Sequence, residues 1–268
     1  MICKAFQEHW PEYLMEAAGL GFFMLAAGVI TVVFEYQDSP VHQALPDPFL
    51  RLIGIGIGMG LTAIAIIYSP WGQQSGAHIN PAVTLTFYRL GKIKPWDAVF
   101  YILAQFMGGL VGVWLAILIL GAAFTHPPVN HIVTVPGAAG LGLALLGEAV
   151  IAFCMMMTIL MVSNTPKLGR WTGVFAGCLV CLYVIFEAPL SGFGMNPART
   201  FASALPAHIW TAFWMYLLVP PAAMLLAAEV YVRFKGLRAV ACAKLNHHTH
   251  TRCIFRCEYR YPETPTGD

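Results

Sequence analysis

Of the 268 residues, 58% are hydrophobic and 10% are charged, and the mean hydropathy is +0.68. So few charged groups cannot clothe a soluble domain of this size, which excludes a water-soluble globular protein and leaves a chain that crosses a membrane several times. The net charge of +2 says less than the placement of the basic residues along the chain.

A membrane span needs about 20 mostly apolar residues. After a leader over residues 1–11, the first qualifying segment is Tyr13 to Phe34. Glu16 interrupts it and no small-residue cleavage site follows, so it reads as a retained span and not as a signal peptide. Phe49 to Tyr68 is the second span. Next comes Asn80-Pro81-Ala82, in which Asn is a favoured helix cap and Pro a favoured first helical residue. The apolar stretch that it opens is too short to cross alone and reads as a re-entrant half-helix. Trp96 to Ala122, Leu141 to Ser163 and Trp171 to Pro189 are spans three to five, with Glu148 inside the fourth. Asn196-Pro197-Ala198 then repeats the capped half-helix, and Ile209 to Phe234 is the sixth span.

Residues 235–268 form a tail. His247, His248, His250, Cys253 and Cys257 crowd into it, and a C-x-x-x-C pair beside imidazoles can hold Zn²⁺ or a softer metal. The spacing is not a zinc-finger frame, and a His-rich tail without metal is the plainer alternative. Because the tail follows the last span, it is expected to be cytoplasmic and to take no part in forming the pore, with Tyr261 to Asp268 as a disordered end. All seven cysteines fall in spans or beside the termini, so no structural disulfide is expected.

Lys4, Arg89, Lys92, Lys94, Lys167, Arg170 and the basic residues from Arg233 to Arg260 share one side of the membrane, whereas 35–50 and 123–140 contain no Lys or Arg. This asymmetry predicts that both termini are cytoplasmic, in a plasma or inner membrane, and it explains the clusters better than nucleic-acid binding does.

Glu16 and Glu148 each precede an Asn-Pro-Ala copy by two spans' worth of sequence. Two halves, 12–122 and 141–234, therefore repeat three spans each, and an odd number inverts the second half in the membrane. The half-helices then enter from opposite faces and meet at mid-depth. Buried carboxylates need donors and the loops before the half-helices need acceptors, so the glutamates are candidate braces; snorkelling near span ends is the alternative.

Gly76 to Thr84 and Gly192 to Thr200, with their paired Asn-Pro-Ala triplets, resemble the signature of the aquaporin, or major intrinsic protein, family, and the likeness runs from about Tyr13 to Phe234. The resemblance implies an all-α channel of six transmembrane helices and two half-helices spanning 12–234. It also implies a homotetramer with one pore per subunit, passing water and small neutral solutes while excluding ions. Asn80, Pro81, Ala82, Asn196, Pro197 and Ala198 would form its centre, with the two amides donating into the lumen. Glu16 and Glu148 would brace the loops.

The resemblance further places Val184, Phe193 and Arg199 at an outer constriction. The Met59-Gly60-Leu61-Thr62 run makes Met59 the fourth member, with Gly60 as the alternative. Water-selective relatives carry His where Val184 stands and usually an aromatic residue where Met59 stands; Phe193 is typical of glycerol channels. Thr200, Ala204 and Tyr216 match the water channels, and Leu217 does not. A glycerol or small-solute facilitator is therefore the nearest alternative. Glu187, one turn beyond Val184, is expected to pair with Arg199 or cap the following loop, and a protonatable gate is the sharper reading. No enzyme activity or required cofactor is implied. A metal-dependent membrane protein acting through the tail would leave the triplets idle, and a junction protein would leave Arg199 unexplained.

Overall fold

The computed structural model describes residues 2–247 and 251–259. Among them, six helices are long and apolar enough to span a membrane: α1 (Ile2–Glu35), α2 (Pro48–Tyr68), α4 (Pro95–Leu120), α5 (Leu141–Ser163), α6 (Gly169–Phe186, its first turn 3₁₀) and α8 (Phe213–Lys235). Two short helices complete the bundle, α3 (Pro81–Arg89) and α7 (Pro197–Ala207). Residues 2–11, expected as a leader, instead continue α1, because Pro11 does not stop the helix.

Packing follows the repeat. α1 lies along α4 in one half as α5 lies along α8 in the other, and α2 joins α6 across the inversion axis. These crossings depend on glycine. A Cβ at Gly108 of α4 would stand 2.0 Å from the carbonyl oxygen of Ala17 in α1, so only hydrogen lets the two backbones meet. Gly60 and Gly177 face each other in the same way where α2 meets α6, each glycine's would-be Cβ falling within 2.7 Å of the other's carbonyl oxygen.

The tail departs from expectation. It has little regular structure, yet Val240, Cys242, Ala243, Leu245, Ile254 and Phe255 are all buried and join the core. Apolar residues interleaved with its polar ones give it a face to bury. His248, His250 and 261–268 lie outside the described residues.

Candidate functional site

Two matching loops lead into the half-helices. Ser75-Gly76-Ala77-His78-Ile79-Asn80 and Ser191-Gly192-Phe193-Gly194-Met195-Asn196 align residue for residue. Gly76 and Gly192 adopt left-handed backbones at φ 95° and 84°, where a side chain would be strained. Ala77 and Phe193 follow at 54° and 53°, Ile79 and Met195 at 40° and 45°. Such turns strip the backbone N–H groups of regular partners, and side chains must replace them.

Glu16 and Glu148 do so. The Glu16 carboxylate accepts from His78 N at 3.0 Å, Ile79 N at 2.6 Å, Ser75 Oγ at 2.8 Å and Gln105 Nε2 at 2.8 Å. Glu148 accepts from Gly194 N, from Met195 N at 2.6 Å and from Ser191 Oγ at 2.7 Å. Both glutamates are fully buried, so neither snorkels. Tyr101 and Tyr216 complete the parallel by donating their hydroxyls to the carbonyls of Ser75 and Ser191. These serines, tyrosines and Gln105 are additions to the expected set. The repeated Ser-Gly five residues before each Asn-Pro-Ala was a readable sign of the serines.

Each half-helix opens on its Asn. Asn80 Oδ1 accepts from Ala82 N at 2.8 Å, and Asn196 Oδ1 accepts from Ala198 N at 3.0 Å and Arg199 N at 3.2 Å. Pro81 and Pro197 take the first helical position. The amide ends cross over: Asn80 Nδ2 donates to Met195 O at 3.0 Å and Asn196 Nδ2 to Ile79 O at 2.7 Å. Each amide has two N–H donors, so this tie uses one and leaves one for the lumen. Both side chains line a central cavity whose walls are otherwise largely apolar, with Phe23, Val83, Met155 and Val180 among them.

Met59, Val184, Phe193 and Arg199 line a further cavity together. Phe193 and Arg199 also border the central cavity, so they stand at the junction of the two. Gly60 points at α6 and packs on Gly177. Arg199 is half-buried, and its Nη1 has no hydrogen-bond partner among the described residues. The expected Glu187 contacts are absent from the described residues: the Glu187 side chain neither pairs with Arg199 nor caps a backbone, and both carboxyl oxygens lie buried without a hydrogen-bond partner. The Glu187 side chain turns toward Gly147 of α5, where a Cβ would stand 2.6 Å from Oε1.

The tail closes over the opposite mouth, beside the first half-helix. His78, held between the ring of Phe87 and that of Phe255, has Nε2 2.8 Å from Ala243 O, a donor–acceptor contact. Leu245 N donates to Gly76 O at 3.2 Å, and the Leu245 side chain lines the central cavity. Arg256 N donates to Lys92 O at 2.9 Å, Ala241 N to Asn164 Oδ1 at 2.8 Å, and Arg252 pairs with Glu12 of α1 at 3.7 Å. The tail therefore ties together α1, both loops around α3 and the loop between α5 and α6.

Within the tail, His247, Cys253 and Cys257 come together with Cys242, which sequence spacing had left out because it sits in the apolar run before the histidines. Hydrogen bonding with Cys242 draws the Cys253 thiol down to about 4 and that of Cys257 to about 6, while the same bonding raises Cys242.

The sequence profile of the major intrinsic protein family matches residues 5–231. The chain is 38% identical over 223 residues to a probable aquaporin of NIP type from Nicotiana alata, covering 82% of this chain and 76% of that protein. It is 35% identical over 221 residues to aquaporin NIP1-4 from Oryza sativa subsp. japonica, covering 81% and 75%. Among solved structures, the aquaglyceroporin from Plasmodium falciparum superposes with a TM-score of 0.67 at 20% identity, covering 83% of this chain and 95% of that one, a likeness of fold. The chain belongs to the major intrinsic protein family and is an integral membrane channel of the NIP type of aquaporin.

Proposed function

We propose that water and small neutral solutes cross through a single path in each subunit. It runs from Met59, Val184, Phe193 and Arg199, past Asn80 and Asn196, to the mouth beside the tail. The observation that carries this is the reciprocal tie of the two asparagines. It holds two helix N-termini face to face in an apolar cavity, with one amide donor of each Asn left for a passing oxygen. The N-termini contribute partial positive charge at that point, which disfavours cations. A water that accepts from both amides points its hydrogens away from its neighbours' lone pairs and breaks the proton relay.

Arg199 is the charged member of the outer ring and borders both cavities, where its guanidinium can meet a solute. Met59, Val184 and Phe193 make the rest of the ring apolar. One strong donor on an apolar wall suits water and small hydroxylated or amide solutes, and it discriminates among them less than a second donor ring would. The charge asymmetry supports cytoplasmic termini, and family membership supports a homotetramer.

The test is a stopped-flow osmotic assay on proteoliposomes, run with water, glycerol and urea gradients and a trapped pH dye. Protein-containing vesicles are expected to shrink several-fold faster than empty ones without added proton leak. Equal shrinkage rates would overturn the reading.

A further inference from the structure

We propose that Cys242, His247, Cys253 and Cys257 bind one Zn²⁺ ion, and that the bound ion clamps the tail across the mouth of the path so that metal occupancy sets how much the channel conducts. The proposal rests on the channel reading above.

Three sulphur atoms and one imidazole nitrogen, supplied by a C-x₄-H-x₅-C-x₃-C run, lie within 4.8 Å of one another. Cys242 Sγ and Cys253 Sγ are 3.6 Å apart, and Cys257 Sγ and His247 Nε2 are 3.1 Å apart. A tetrahedral zinc site with Zn–S bonds of about 2.3 Å has S–S edges of roughly 3.8 Å, so the four atoms already stand near the corners that the ion needs. Three thiolates and one imidazole form a closed, four-coordinate set of the structural kind. It selects zinc over the hard cations that take oxygen ligands. The His247 ring also stacks on Tyr259 at 4.5 Å, which fixes its plane. A disulfide between Cys242 and Cys253 would leave Cys257 and His247 without a purpose in the same cluster.

The ligands bracket two tail residues that pack at the mouth. Leu245, whose side chain lines the central cavity, lies between Cys242 and His247. Phe255, stacked on His78 with ring centres 5.4 Å apart, lies between Cys253 and Cys257. One ion therefore pins both ends of both segments at the mouth. A stretch with almost no regular structure loses much conformational entropy when it is ordered, and metal binding offsets that loss. With the ion removed, the tail keeps its buried apolar face and its hydrogen bonds and ion pairs to Glu12, Gly76, His78, Lys92 and Asn164, but loses the one link that closes both of its segments on each other.

The experiment uses the full-length chain. Purified protein is expected to carry one zinc per chain by elemental analysis, or to take up one from a zinc-buffered solution; Cys253→Ser combined with Cys257→Ser is expected to bind less than a tenth of that. In proteoliposomes, a membrane-permeant zinc chelator should raise osmotic water permeability at least threefold, and added zinc should reverse the rise without any mutation. Leu245→Ala should raise permeability to a similar level while keeping its zinc. Full-length protein that binds no stoichiometric zinc overturns the site. Stoichiometric zinc with permeability unmoved by both chelator and Leu245→Ala overturns the clamp. Truncation after Arg238 separates this from the channel reading: high, chelator-insensitive water flux supports the clamp. A truncated protein that keeps its helical content and conducts nothing overturns the channel reading, and the clamp with it.

Discussion

At the level of single residues, the proposed path assigns selection to Arg199 and Val184, which line one cavity. A guanidinium stays charged at any working pH and presents its donors in one plane, so in the proposed path Arg199 is expected both to repel cations and to orient solute oxygens. Arg199→Val is expected to keep or raise water permeability and to admit a measurable proton or small-cation leak, partial because the paired helix N-termini still oppose cations. A folded, water-conducting variant with no added cation conductance in planar bilayers would make Arg199 a structural anchor. Val184 faces the same cavity with a small apolar side chain. Val184→His adds bulk and a second donor, so glycerol or urea flux should fall several-fold more than water flux. Equal proportional changes in the stopped-flow assay would remove Val184 from the constriction.

At the level of elements, the half-helices depend on the carboxylates behind them. α3 has nine residues and α7 has eleven. At about 1.5 Å per residue, placed end to end they span roughly the 30 Å of a hydrocarbon core. Neither could hold its depth alone, because the loop that feeds it exposes backbone donors. Glu148→Ala strands the N–H groups of Gly194 and Met195, and each buried donor left unsatisfied costs about 1–3 kcal/mol. The expected outcome is a lower thermal midpoint by circular dichroism in detergent, together with reduced water flux. Glu148→Gln keeps an acceptor oxygen and should recover part of both. The helix crossings are a second dependence: Gly108→Leu drives a side chain into the Ala17 backbone and should part α1 from α4, at a cost of about 1–3 kcal/mol or more. An unchanged midpoint would show that the interface repacks freely.

At the level of the whole molecule, the inversion is legible down to individual hydrogen bonds: glutamate, serine, tyrosine and asparagine recur with the same partners in both halves. The tail is the element that breaks this symmetry. Among the described residues it has no counterpart at the other mouth, so the proposed clamp would regulate one end of the path while Met59, Val184, Phe193 and Arg199 line the other. In native mass spectrometry the intact protein is expected to run as a tetramer, and the tail truncation should leave that assembly in place, since the tail packs on Glu8, Lys92 and Asn164 of its own subunit. Dissociation on truncation would relocate the tail to a subunit interface.

Hydrophobic run lengths, two Pro-Ala pairs behind capping asparagines and two intramembrane glutamates sufficed to read the spans, the half-helices and the inverted plan from the chain alone. Those signals are local: run length sets a span, and cap chemistry sets where a helix starts. Tertiary structure decided what depends on distant residues meeting. It turned Met59 into the cavity and Gly60 onto Gly177, directed Glu187 to Gly147, and supplied Gln105 to Glu16 from another helix. Most of all it placed the tail. Cys242 stands eleven residues before Cys253, and Leu245 lies 165 residues after Asn80, separations across which no periodicity carries information. Only the folded channel mouth, with His78, Gly76 and Lys92 presenting partners together, gives an unstructured segment a surface to close upon.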